Sequence, residues 1–323
     1  MAWGSTRRFE RVHWGPGSFQ GTEQGLLLSP IFASTQAFDQ VLASWNAEEP
    51  PGGSLVVELR VAEREAWSPW LWLADWGDLA SGPGLAPRAS RLGQVEVDAF
   101  AATRPLGRVQ LRFSSLDAEG RRLRPRLSRV DLCLRRVESA PAPPESPVPA
   151  ASAPLALPKL SQRSAPAEMA ARICSPTSLA MVLGYYGQPV RPEAVAARAY
   201  DPWHDLYGNW PRNIQSAWSY GVPGYLTCFD SWGPLEKMVR SGQPVIISIR
   251  VAPGALPGAP YAASQGHLLV VVGFDGEGGV IVHDPAAPDS TSVRRVYGRR
   301  ELGRCWFGHG GVAYVLAADG KAG

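Results

Sequence analysis

Cysteine is scarce in this chain and charge is nearly balanced. Only four cysteines occur in 323 residues, Cys133, Cys174, Cys228 and Cys305, and none belongs to a Cys-x-x-Cys pair. That scatter speaks against a zinc ribbon and against a disulfide framework, leaving a single Cys228–Cys305 bridge open. No two His or Cys share one element at ligand spacing, so neither a metal nor a cofactor is expected. Against 32 Lys and Arg stand 29 Asp and Glu, a net charge of +3 that calls for neither nucleic acid nor an anionic membrane as partner. The densest basic run, Arg121-Arg122-Leu123-Arg124-Pro125-Arg126, precedes an alternating segment and reads as a solvated turn and strand edge rather than a polyanion site. No stretch approaches the roughly 18 apolar residues of a membrane-spanning helix, and Met1 to Phe19 lacks the apolar core of a signal peptide. The expectation is a soluble chain, cytoplasmic as written, secreted or envelope-associated if a signal has been removed.

With 45% hydrophobic and 19% charged residues, the length accommodates two ordinary domains. From Phe9 to about Val137, segments such as 54–61, 94–98, 108–113 and 130–134 alternate apolar with polar residues, and turn signals at 50–53, 82–84 and 117–120 separate them. This pattern predicts an all-β sandwich over 1–137. Trp67, Trp70, Trp72 and Trp76 crowd one segment. By strand parity Trp70, Trp72 and Trp76 share a face, which reads as core filling, with a stacking platform for sugars or peptides as the alternative. Residues 138–157, rich in Pro and Ala, read as an extended linker. The remainder, 158–323, places helices at 174–186, 192–199, 211–220 and 235–240 before strands at 245–251, 268–274, 280–283 and 312–315, an α+β order.

Within that half, Leu179, Val182, Leu183 and Tyr186 recur at helical spacing behind Cys174, and Gly187 with Pro189 ends the pattern. A thiol at a helix start meets unpaired N–H groups and the positive end of the dipole, which favour thiolate; a packed structural thiol is the alternative. A nucleophile needs a base and an orienting group. Two apolar runs, 268–274 and 280–283, flank the Asp-Gly-rich turn after Phe274 and predict a hairpin. A fold at Asp275–Gly276 sets His267 opposite Asp284, close enough for a carboxylate to hold an imidazole N–H. His283 points to the other face of its strand. His204 and His309 lie in loops and receive no role. The Gly-, Pro- and Ala-rich stretch 252–265, which leads into His267, reads as a mobile cover.

Cys174-Ser175-Pro176-Thr177-Ser178-Leu179-Ala180-Met181, with Gly266-His267-Leu268 and Asp284-Pro285 downstream, resembles the C39-like branch of the papain-like cysteine peptidases over about 158–317. The resemblance implies a papain-like α+β fold with Cys174 as nucleophile, His267 as general base and acid, and Asp284 as orienting residue. It also implies an oxyanion donor upstream of the nucleophile, a place that Gln162 matches. Ser175 stands where the family more often has Gly, and the gap from Gln162 to Cys174 is longer than in papain. The Tyr207-Gly208-Asn209-Trp210 element resembles members with this two-domain layout, which offers Asn209 and Trp210 as cleft-lining residues; a capped helix start packed by Trp is the alternative. The N-terminal half resembles a jelly-roll domain attached to such peptidases.

The expectation is therefore a bacterial cysteine peptidase acting on a peptide or protein substrate, with a glycan or cell-envelope ligand open for the N-terminal domain. A binding protein without turnover and a thiol acyltransferase are the alternatives, since the same thiol serves transfer to an amine as well as to water.

Overall fold

The computed structural model describes residues 9–78, 86–136, 148 and 150–317. The chain divides into two units, Met1–Ala140 and Pro141–Gly323. The turn expected at 82–84 lies outside the described residues, as do 138–147 and 149 of the expected linker.

The first unit is largely β. Its main strands are β1 (Phe9–Trp14), β2 (Phe32–Ala47), β3 (Ser54–Glu63), β4 (Leu71–Gly77), β5 (Ala99–Leu116) and β6 (Leu127–Arg135). They pair antiparallel, β1 on β6, β6 on β2, β2 on β5, β5 on β3 and β3 on β4. The 18-residue β5 meets β2 through its first half and β3 through its second, with register shifts between Ala101 and Arg108. One continuous strand thus serves two sets of neighbours. Trp45, Trp76, Phe38, Phe100 and Phe113 fill the core between them.

The tryptophan segment departs from simple parity. On β4, Trp72 faces Glu58 while Ala74 faces Val57, so Leu73 is an extra residue in the ladder. That bulge sends Trp76 into the core and leaves Trp72 on the opposite side, buried beneath the guanidinium of Arg88. Trp70 has the guanidinium of Arg60 at 4.7 Å and that of Arg112 at 4.5 Å from its ring centroid. No flat three-ring platform forms, because the bulge breaks the face and cations occupy the rings that remain outside.

The second unit mixes helices and strands: α1 (Cys174–Tyr185), α2 (Pro192–Ala199), α3 (Trp210–Ser219), β7 (Gly224–Cys228), α4 (Trp232–Arg240), β8 (Val245–Val251), β9 (Ser264–Phe274), β10 (Gly279–His283), β11 (Arg294–Gly298), α5 (Arg299–Phe307) and β12 (Val312–Leu316). The antiparallel sheet runs β7-β12-β8-β9-β10-β11. Alternation along β8 explains the layering. Ile246 joins the core under α1, α2 and α3, while Val245, Ile247 and Ile249 join the core under α4 and α5. With both faces covered, the strands read as continuous apolar runs.

Two local expectations change. Helix α1 is not amphipathic, since every residue from Ser175 to Leu183 is buried. A central helix enclosed on all sides carries apolar and small residues all round, and the stripe marks only part of its contacts. It ends as expected, with Gly187 at φ +84° and Gln188 N–H bonded to Leu183 C=O. The described end of the proline-rich segment is not a free linker either. Ser152 and Leu155 N–H bond to the carbonyls of Phe274 and Val272, and Leu157 enters the core beside α1. No disulfide forms among the four cysteines, all of them described, and Cys133, Cys228 and Cys305 are buried.

Candidate active site

Cys174 opens α1 and keeps part of its surface accessible. Burial of its surroundings pushes the thiol up, yet the hydrogen bond and charge of His267 and the N–H groups of Leu268 and Ser175 outweigh that, and the thiol is held below its ordinary value. His267 sits near the start of β9, paired in the ladder with Ile249 of β8. Burial alone would discharge its imidazole. The carboxylate of Asp284 and the Cys174 sulfur reverse this and raise the imidazole to about 10. Its Nε2 lies 2.8 Å from Oδ1 of Asp284, so Nδ1 is the ring nitrogen left for the sulfur.

Asp284 is fully buried just past the end of β10 and is nonetheless held below the ordinary carboxylate range: desolvation opposes the charge, while His267, Tyr297 and the N–H of Ala286 favour it. Its Oδ1 accepts from Ala286 N–H at 2.9 Å, and its Oδ2 accepts from the hydroxyls of Tyr297 at 2.7 Å and Tyr261 at 3.1 Å. Neither tyrosine was legible as a site residue. Tyr297 lies on a short strand next to Arg294 and Arg295, and Tyr261 in a Gly- and Ala-rich loop, with no motif linking either to Asp284.

Gln162 is buried in the short helical turn Gln162–Ser164. Its N–H donates to Pro285 C=O at 2.8 Å, tying it to the residue after Asp284. Nε2 donates to Ala170 C=O at 2.8 Å, four residues before Cys174, and Oε1 has no protein partner. Gln162 therefore bridges the segments that carry Asp284 and Cys174, with one amide hydrogen left over.

Asn209 caps α3, its Oδ1 accepting Arg212 N–H at 3.2 Å and its Nδ2 donating to Asp201 Oδ2 at 2.7 Å. Trp210 packs on the core beside α1 and meets His309 edge-on at 6.2 Å. The structure thus gives this pair the capping and packing arrangement. His204 Nδ1 lies 2.8 Å from Asp201, and the buried His283 lies away from the cluster, with its Nδ1 unpartnered and burial lowering it to about 4. Among the described residues no group of three His, Cys, Asp or Glu could hold a metal ion, and no helix is long and apolar enough to cross a membrane.

A family described as Peptidase_C39 like matches residues 154–314, and the Peptidase C39 N-terminal domain matches residues 10–134. No curated protein matches the chain. Among solved structures, a C39-like peptidase from Bacillus anthracis is similar at 20% identity and TM-score 0.36, covering 46% of this chain and 90% of that one. A double glycine motif protease from an AMS/PCAT transporter, in complex with a leader peptide, is similar at 21% identity and TM-score 0.35, covering 53% and 98%. The peptidase domain of Streptococcus ComA, from a bifunctional ABC transporter of a quorum-sensing pathway, is similar at 16% identity and TM-score 0.33, covering 46% and 93%. With the two family matches lying one on each unit, the chain belongs to the C39-like peptidase family.

Proposed function

We propose that this protein is a cysteine peptidase in which Cys174, His267 and Asp284 form the catalytic triad of a papain-like domain, preceded by a jelly-roll-like sandwich. The observation that carries this reading is the chain of contacts from a helix-start thiol to an imidazole to a fully buried carboxylate. Neutral thiol and imidazole would leave Asp284 as an unpaired buried charge. A thiolate–imidazolium pair places a cation against it, and the depressed thiol and raised imidazole describe that pair.

Attack by the Cys174 sulfur on the scissile carbonyl forms a tetrahedral oxyanion. The N–H of Cys174 and the remaining Nε2 hydrogen of Gln162 serve as its donors. His267 delivers its proton to the leaving amine, and the C–N bond breaks to leave a thioester. Neutral His267 then takes a proton from water, which attacks the thioester; the C–S bond breaks, releasing the acid and restoring the Cys174 thiolate beside the His267 imidazolium. Asp284 fixes the imidazole so that Nδ1 faces the sulfur throughout.

The test is iodoacetamide labelling of Cys174 against pH in wild type and His267→Ala. A labelling step well below the free-thiol value of about 8.5, lost in the variant, supports the ion pair. An ordinary step near that value in both proteins would make Cys174 a structural thiol and return the chain to a peptide-binding role.

A further inference from the structure

The loop 252–263 between β8 and β9 is attached where a swinging lid would be free. Leu256 is buried in the core, and Arg295 Nη1 donates to Gly258 C=O at 2.9 Å. Its third attachment is Tyr261, whose hydroxyl donates to Asp284 Oδ2 and whose ring centroid lies 4.8 Å from that of His267, tilted by 59°. One side chain therefore touches both members of the imidazole–carboxylate pair. Tyr297 meets the same oxygen from the sheet, buried and fixed in β11, whereas Tyr261 is only half-buried.

We infer that Tyr261 is a positioning residue of the proposed peptidase, braced by its loop to seat the His267 ring and to temper the charge that Asp284 presents to it. The inference rests on the reading of Cys174 as nucleophile. A hydroxyl that donates to Oδ2 shares the carboxylate's negative charge, and that charge is what holds the proton on His267. Fewer donors leave Asp284 a stronger base toward the imidazole. The ring then keeps its proton more tightly and delivers it less readily to a leaving amine. The groups that face this pair are Cys174 from α1, Tyr261 from the loop and Tyr297 from β11, with Arg295 beside Tyr297, while Ile249 of β8 contributes no charge.

Alkylation of Cys174 in the full chain reads this without a known substrate. Its rate rises first as thiol becomes thiolate paired with imidazolium, and again as the imidazolium loses its proton. Tyr261→Phe keeps the ring and removes the hydroxyl. It should raise the upper step by about half a pH unit, roughly threefold in the imidazolium's acid dissociation constant, with the lower step little changed. Tyr297→Phe should raise it further, since no water replaces a donor buried there. Tyr261→Ala removes the seat as well, and should move the lower step toward the ordinary thiol value. Upper steps for Tyr261→Phe and wild type that coincide, while Tyr297→Phe shifts, would overturn the role of Tyr261 and leave the triad standing. A wild type with a single ordinary step would overturn the triad, and this inference with it.

Discussion

His267 and Asp284 are 2.8 Å apart, Nε2 to Oδ1, although they are not facing partners in the hairpin. Val270 faces His283, so a ladder continued outward would set Leu269, not His267, opposite Asp284. Two features set the register. Phe274 faces Val280, so five residues, 275–279, lie between them, with Asp275 Oδ1 accepting the N–H groups of Glu277 and Gly279, and the extra residue Val272, between Val271 and Gly273, takes back one step of that shift. The contact is made diagonally from a chain already leaving the strand, where Asp284 N–H bonds to Val293 C=O.

Asp284→Asn should separate charge from geometry. The amide can still accept from an imidazole N–H, but it no longer stabilises the imidazolium. The His267 pKa should fall from about 10 toward its ordinary 6.5, and the labelling step of Cys174 should rise. On any cleavable peptide, kcat/KM should drop by about 10² to 10⁴. An unchanged labelling profile would show that Asp284 does not charge the ring.

Gln162→Ala should lower kcat by about 10² to 10³ with KM little changed, the pattern of a donor used only in the transition state. Labelling of Cys174 has no oxyanion and should stay within a fewfold of wild type. Slowing of both together would mean that the bonds of Gln162 to Pro285 and Ala170 chiefly hold the site in shape.

The order of helices and strands around the candidate site was largely legible, because a buried sheet needs apolar runs and helix starts and stops carry Pro and Gly signals. The 192–199 helix and the 245–251 strand fall where spacing alone places them. What was missed has physical reasons. Strand β11 is five residues long and begins with two arginines, and α5 begins Arg-Arg-Glu, so neither shows an apolar run until its buried Tyr297 or Trp306 is known. The bulge at Leu73 has no turn residue beside it, that at Val272 is marked only by Gly273, and each reverses the face assignments beyond it. The tyrosines on Asp284 come from segments brought together only by tertiary folding.

His283 should make the protein acid-sensitive through a residue outside the site. Burial is the main cause of its lowered pKa of about 4, partly offset by a bond to Pro158 C=O, and Lys159 and Arg294 add to the lowering. Between its unfolded value of 6.5 and about 4 the unfolded chain binds the proton that the folded chain refuses, so stability falls as pH falls through that window. The loss is on the order of 3 kcal/mol. Urea unfolding of wild type and His283→Leu at pH 7 and pH 4.5 measures it. The variant should lose distinctly less stability on acidification, and parallel losses would place the sensitivity elsewhere.

Gly184 tests how firmly the chain just past the proline-rich segment is packed on α1. A Cβ on this residue of α1 would stand 2.7 Å from Cγ of Pro158, an atom of a rigid ring that cannot rotate aside. Pro158 cannot simply retreat, because its carbonyl accepts from His283 and Leu157 beside it is buried. Gly184→Ala should therefore destabilise by about 1–3 kcal/mol despite the helix propensity it gains. Gly233 of α4 has nothing within 4 Å of a new Cβ, and Gly233→Ala should be neutral or stabilising by up to about 1 kcal/mol. Opposite signs from the same substitution would locate the cost in the contact with Pro158. Stabilisation by both would mean that Pro158 lifts off α1 at little cost.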